Sequence, residues 1–248
     1  MKNLFLFILI LPFLSCAPEF YSPNRINIPE LGKKKDFKIT IVKGYIDFEA
    51  QTAYGLTNHI GILCNYANTS YRNSSTNFEV AGGRMFEIGG GYFTKKRSLI
   101  FENYITFGRG SFFNRAEFLD PLNEKNDGKL DSDFSKFGIQ SSLSLQHDLF
   151  SISGALRYTN LQYTNITGNM YSGNQNLREF LNLNSGYNFI EPAFQIGIGF
   201  KNIRINVQYQ RSYVINKTDY YYYNKYNYSA GILLSFPAIG NKSKKGNT

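Results

Sequence analysis

Phe194-Gln195-Ile196-Gly197-Ile198-Gly199-Phe200 is followed, after Lys201-Asn202, by Ile203-Arg204-Ile205-Asn206-Val207-Gln208-Tyr209-Gln210. Both stretches alternate large apolar residues with small, amide or charged ones. A period of two is that of a β-strand with one face against an apolar medium and the other against polar material. In a soluble sandwich the apolar face turns inward. In an outer-membrane barrel it turns out to lipid, and the polar face lines the interior.

The rhythm recurs about ten times between Phe37 and Phe236, with eight and twelve strands as the bounds. The segments are Phe37 to Lys43, Ile46 to Gly55, Ile60 to Ser70, Met85 to Phe93 and Leu99 to Phe107, then Phe137 to Gln146, Phe150 to Tyr158, Ala193 to Phe200, Ile203 to Ser212 and Tyr228 to Phe236. Most approach the roughly 9–11 residues that a tilted strand needs to cross a bilayer. The connections alternate in length. Short turns fall at Leu56 to His59, Thr94 to Ser98, Gln146 to Leu149 and Lys201-Asn202. Long polar stretches fall at Tyr71 to Arg84, Gly108 to Lys136, Thr159 to Pro192 and Tyr213 to Asn227. Gly44-Tyr45 breaks the pattern, being short on the long-loop side. The expectation is an all-β, antiparallel, up-and-down transmembrane β-barrel with short periplasmic turns and long outside loops.

Composition agrees. Aromatics reach 17% with no Trp and charged residues only 18%, which argues against disorder. After the first residues no run approaches the roughly 18 apolar residues of a spanning helix, so a membrane crossing here requires a closed barrel. Lys2 and the apolar run Leu4 to Leu14 read as an export signal over residues 1–15, ahead of Ser15-Cys16-Ala17. This resembles a bacterial lipoprotein signal, which implies acylation of Cys16. Phe13 and Leu14 depart from its usual pattern, and cleavage after Ala17 is the competing reading. Residues 16–35 then read as a periplasmic linker rich in proline, 36–236 as the barrel, and 237–248 as a basic tail. Cys64 alternates with Ile60, Ile62 and Tyr66 and reads as a small hydrophobe on the apolar face.

The polar faces collect Lys38, Asp47, Glu49, Glu87, Glu102, Arg157 and Arg204, with Gln140, Gln195, Gln208 and several glycines. In a narrow lumen these charges are expected to pair as a network, because an unpaired buried charge is costly. A barrel of this size is filled by its own side chains.

Tyr21-Ser22-Pro23-Asn24 with Asn27 and Pro29, then Phe48 and Ala53-Tyr54-Gly55-Leu56-Thr57-Asn58-His59-Ile60-Gly61, resembles the start of small outer-membrane β-barrel proteins of the Bacteroidota type. The likeness is sharpest over residues 16–66. It implies fold and location, the cell outer membrane, and brings no catalytic residue.

Little catalytic chemistry is legible. His59 and His147 both fall in short turns, away from the long loops where an omptin-like protease site would need a histidine. Gly89-Gly90-Gly91 lacks the Lys-Ser/Thr and helix of a phosphate loop. The acidic stretch with Asp120, Glu124, Asp127, Asp131 and Asp133 lacks the spacing of a calcium loop, and one cysteine with two distant histidines makes no metal site. No cofactor is expected. The net charge of +9 raises nucleic acid, but Lys33 to Lys35, Lys95-Lys96-Arg97, Lys201 and the tail all fall on the periplasmic side, where they face anionic lipid. Tyr220 to Tyr223, Tyr226 and Tyr228 read mainly as an interfacial girdle. The expected role is structural or one of surface interaction, with membrane lipid and lipopolysaccharide as neighbours and glycans or proteins as partners of the long loops. The alternatives are a lipid-anchored soluble barrel or sandwich binding a small apolar ligand, and an outer-membrane hydrolase using Glu49, Glu87 or Glu102.

Overall fold

The computed structural model describes residues 20–44, 47–72, 79–119, 125–172, 175–200, 202–216 and 221–236. The signal, Cys16, Lys201, Tyr220, Asp120, Glu124 and the tail lie outside them. The described elements are β1 (Phe37–Gly44), β2 (Asp47–Gly55), β3 (Ile60–Arg72), β4 (Glu79–Lys96), β5 (Leu99–Leu119), β6 (Lys125–Gln146) and β7 (Phe150–Gly168). After these come the short pair β8 (Tyr171–Ser172) and β9 (Gln175–Asn176), helix α1 (Leu177–Leu183), β10 (Gly186–Phe200), β11 (Ile203–Arg211), its continuation β12 (Tyr213–Val214), and β13 (Tyr226–Phe236). Neighbours pair antiparallel in sequence order, and β13 pairs with both β11 and β1. The sheet thus closes into a ten-strand barrel without an edge.

The alternation has the predicted sense. Ile41, Phe48, Ile62, Tyr66, Phe86, Ile88, Phe101, Ile105, Leu143, Ile196, Ile205 and Ile232 all point outward and are exposed. The residues between them turn into the barrel and are buried. Cys64, a free thiol, is half-buried on the outward face. Gly61 and Gly91 pair across β3 and β4. A Cβ on Gly61 would lie 2.7 Å from Leu31, and one on Gly91 2.0 Å from the Asn103 carbonyl, so both must stay small for wall and lumen to fit together.

Two expectations need correction. The stretches Gly108 to Lys136 and Thr159 to Pro192 read as loops, yet β5, β6, β7 and β10 run well into them. The continuous outward apolar band on β5 breaks after Phe107, and Arg109 and Arg115 follow on the same face, exposed, with the Phe113 ring under the Arg115 guanidinium. The ladder nevertheless continues, because inward Phe112, Leu130, Phe134 and Tyr163 build a core inside the extended rim. Between β9 and β10, α1 is a short helix the periodicity missed. Asn176 caps it by accepting from the Arg178 and Glu179 backbone N–H groups, while Leu177, Phe180 and Leu181 are buried.

The second correction concerns residues 16–35. Their described part is no linker outside the barrel. Phe20 to Leu31 runs through the lumen, buried along its length except at Ser22. It starts at the long-loop end, where the Phe20 N–H donates to the Tyr222 carbonyl and Tyr21 bridges Tyr223. It leaves at the short-turn end, where the Lys35 N–H donates to the Gly55 carbonyl.

Candidate functional site: a lumen filled by the chain's own N-terminal segment

An extended peptide inside a barrel brings backbone donors and acceptors that must all be satisfied away from water. Pro23 and Pro29 lower the demand, since proline has no N–H and holds the chain extended. The wall meets the rest with inward polar side chains. Carbonyl oxygens accept in turn from Tyr163 Oη at Phe20 (3.0 Å), Asn227 Nδ2 at Pro23 (2.9 Å) and Arg157 Nη2 at Asn24 (2.8 Å). Further along, Gln51 Nε2 reaches the Arg25 carbonyl (3.0 Å), Gln208 Nε2 that of Ile26 (3.0 Å) and Gln140 Nε2 that of Asn27 (2.8 Å). Gln208 also accepts from the Ile26 N–H at 3.1 Å, so one amide side chain serves both backbone groups of that residue.

The carboxylates predicted to line the lumen are acceptors for the same peptide. Glu49 Oε1 takes the Arg25 N–H at 2.7 Å. Glu102 takes the Glu30 N–H on one oxygen at 3.1 Å and the Leu31 N–H on the other at 3.0 Å. Two donors at adjacent residues suit a carboxylate with two oxygens, and they hold Glu30 in a left-handed conformation, φ 56°, where the chain turns to leave. Tyr104 Oη adds a bond to Glu102 at 3.2 Å.

All seven candidate lumen residues are buried, and the structure shows what each meets. They do not pair with one another. Glu87 pairs with Lys136 at 2.8 Å, Arg157 with Glu191 at 2.6 Å, and Arg204 with Glu30 at 3.0 Å. Lys38 donates to Ser235 Oγ at 2.8 Å, and Asp47 accepts from Asn227 Nδ2 at 3.1 Å. The three partner charges lie in stretches whose sequence reads as loop or linker. Lys136 and Glu191 belong to strand extensions, and Glu30 to the plug. Lys136 also donates to Asn24 Oδ1 at 2.6 Å, and Asn27 Nδ2 reaches Asn65 Oδ1 at 2.7 Å. The plug therefore binds the wall through side chains as well as backbone.

Apolar contacts hold the segment at three levels. Leu31 packs with Ala53, Leu63, Phe93 and Tyr104 at the short-turn end. Ile26 and Ile28 pack with Ala193 in the middle. Phe20 and Tyr21 enter an aromatic cluster at the long-loop end with Phe112, Tyr163, Phe189 and Tyr221. Tyr221 stacks on Tyr187, centroids 3.5 Å apart, and its hydroxyl lies 2.8 Å from that of Tyr163. Burial first, then the Tyr163 hydroxyl, push Tyr221 well above the usual phenol range, so it acts as a neutral hydrogen-bonding ring. The tyrosine run thus divides: Tyr221 seals the lumen, while Tyr226 and Tyr228 stand on the outward face as a girdle would.

His59 stacks on Tyr92 and His147 on Phe150, both at short turns. Of the acidic stretch, Asp131 pairs with Arg115 at 2.7 Å and Asp133 accepts from Asn165. Among the described residues no group of His, Cys, Asp and Glu is placed to hold a metal ion.

No protein-family model matches the sequence, and no curated protein matches it. Solved structures do. The outer membrane protease OmpT from Escherichia coli aligns at 13% identity over 83% of this chain and 94% of its own, with a TM-score of 0.46. The KdgM porin aligns at 11% over 81% and 99%, TM-score 0.37. The N-terminal β-barrel domain of Pseudomonas aeruginosa OprF aligns at 8% over 82% and 99%, TM-score 0.35. At these values the likeness is to the overall fold and extends to no site.

Proposed function

We propose that this chain is an outer-membrane β-barrel with a structural or surface-interaction role, closed by its own N-terminal segment. The observation that carries this reading is the plug. Inward Gln51, Gln140, Gln208, Asn227, Glu49 and Glu102 are bonded to the buried peptide, which takes up the space and much of the polar face that a water path would need. The outward apolar band supplies the membrane surface, and the strand extensions beyond it supply an outside rim for glycans or partner proteins. Arg84 and Arg109 stand exposed on neighbouring strands at that rim, beside Phe86 at the edge of the band. Cations at that height suit the phosphates of lipopolysaccharide. Lys33 to Lys35 and Lys95 to Arg97 are exposed at the other end, where they suit anionic phospholipid.

The other two readings have less support. A soluble ligand-binding barrel needs its apolar faces inside and its lumen free. A hydrolase needs a free carboxylate, whereas Glu49 and Glu102 accept backbone N–H groups and Glu87 pairs with Lys136. The test is carbonate extraction of isolated outer membranes together with planar-bilayer recording of the purified chain. The reading expects retention in the membrane and no steady conductance. Release by carbonate would refute the membrane role, and a stable ohmic current would refute the closed lumen.

A further inference from the structure

Strand register sorts the outward side chains of β3 to β6 into level rows. Ile88, Phe107 and Phe137 stand opposite one another at the top of the apolar band. The next row is Tyr66, Phe86, Arg109 and Ser135, and beyond it come Arg84, Ser111 and Asp133. Tyr66, Phe86, Arg84 and Arg109 are exposed. The wall thus passes from apolar to aromatic to cationic within two rows, as at the height where hydrocarbon gives way to head groups. An open cleft of about 600 Å³ lies across those two rows, bounded on β7 by Thr164 and Asn165. Small-ligand sites run to roughly 300–1,000 Å³. The β7 edge carries a bulge: Asp131 and Asp133 pair with Thr167 and Thr164, leaving one extra residue on β7, and Asn165 is left-handed at φ 52°. A bulge bends its strand and re-aims side chains, and bulges recur at barrel rims and next to active sites.

The two arginines of the cleft differ from others on the rim. Arg115 pairs with Asp131 at 2.7 Å and lies over the Phe113 ring, and Arg211 lies over Tyr213 and Tyr226. Among the described residues, Arg84 and Arg109 have neither a carboxylate nor a ring as partner. Asp133, the carboxylate of the cleft, accepts instead from Asn165 Nδ2 at 2.8 Å. Arg84 stands opposite Ser111, two residues on from Arg109, so the pair are diagonal neighbours with Cβ atoms about 7–8 Å apart. From such a diagonal two planar guanidinium forks can close on one phosphate between them, each offering paired N–H donors.

We propose that this cleft is a binding site for the phosphorylated sugar head of an outer-leaflet glycolipid, with Arg84 and Arg109 holding the phosphate. This rests on the outer-membrane reading above and gives it a specific lipid contact. The acyl chains of the same molecule lie down the wall on Phe86, Ile88 and Phe107, which are exposed directly below the arginines. That continuity favours a lipid-borne phosphate over a free one. The rest of the cleft suits a sugar. Ser111, Ser135 and Asn165 offer hydroxyl and amide groups to sugar hydroxyls, and Asp133 accepts from them while repelling a second phosphate. A cleft of this volume is also wider than a lone phosphate needs.

The experiment titrates the full chain, folded in detergent micelles, with monophosphoryl lipid A and counts bound lipid by native mass spectrometry. Parallel titrations use dephosphorylated lipid A, phosphatidylethanolamine and glucosamine phosphate. The test variant carries Arg84→Gln and Arg109→Gln together, and Arg115→Gln is the control. Retention of the heat-shifted gel band checks that each barrel has folded. The expected result is lipid A affinity lowered about tenfold or more in the double variant and unchanged in the control. Dephosphorylated lipid A should bind the unaltered chain that much more weakly, with no further loss in the double variant. Equal lipid A binding by the double variant overturns the proposal, and so does phosphatidylethanolamine bound as tightly as lipid A. Glucosamine phosphate bound as tightly as lipid A overturns the lipid and makes a free sugar phosphate the ligand. None of these outcomes touches the membrane reading, which fails separately if carbonate releases the unaltered chain from outer membranes.

Discussion

The Glu30–Arg204 pair couples the plug to the wall near its exit, and a mutant cycle across it reads whether the segment is where the structure places it. The ion pair is 3.0 Å long, with side chains 0% and 4% exposed. Glu30 also accepts from Gln146 Nε2 and Ser153 Oγ, while Arg204 Nη2 donates to the His147 carbonyl at 2.6 Å. Arg204→Met leaves a buried carboxylate with two neutral donors, and removing one partner of such a pair costs about 3–5 kcal/mol. Glu30→Gln leaves the guanidinium with the His147 carbonyl, and a similar loss of about 3 kcal/mol is expected. The double variant buries no unpaired charge, so its loss should fall short of the sum by about 1–3 kcal/mol. The assay is urea unfolding of the chain folded in detergent micelles, followed by tyrosine fluorescence and by loss of the heat-shifted gel form. Strict additivity would mean that Glu30 and Arg204 do not touch, and would refute the plugged lumen at this level.

Other outcomes follow from the same geometry. Ile105→Arg sets a charge near the middle of the outward band, where Ile105 is 49% exposed. In lipid this costs about 2–4 kcal/mol. On a water-facing surface it would change stability by less than about 0.5 kcal/mol, so unfolding in liposomes separates the two cases. Tyr221→Ala removes the ring stacked on Tyr187 and should cost about 3 kcal/mol or more, as large-to-small changes of buried rings do. It should also open the peptide bonds near Phe20 to added protease; unchanged resistance would show that Tyr221 does not seal the mouth. Asn176→Ala removes the acceptor for two backbone N–H groups of α1 and should cost about 0.5–2 kcal/mol, read from the thermal midpoint.

The barrel was legible because its signal is local. Period-two alternation in Phe194 to Gln210 needs no knowledge of the partner strand, and the inward set it picks out is the set found buried. Strand ends were not legible beyond the band. There Arg109, Ser111, Asp131 and Asp133 face outward where no apolar medium demands alternation, so the pattern fades while the ladder continues. The charge network was half legible. Alternation puts Lys38, Asp47, Glu49, Glu87, Glu102, Arg157 and Arg204 on inward faces, and all seven are buried, but pairing depends on register and on a segment with no periodicity of its own. The plug carried two signals that pointed to it. Ile26, Ile28 and Leu31 are apolar residues in a supposed linker, and the inward glutamines Gln51, Gln140 and Gln208 outnumber what paired charges require. A wall rich in amides is matched to backbone groups.

Backbone amide hydrogen exchange over residues 20–36, on the intact chain folded in micelles, tests the central claim most directly. The N–H groups of Arg25, Ile26, Glu30 and Leu31 donate to buried wall side chains. Their exchange should therefore be as slow as that of the β2 and β5 ladders and should open only with global unfolding. Exchange of these amides at the rate of an unstructured peptide, with the strands still protected, would show that the N-terminal segment is not held in the lumen.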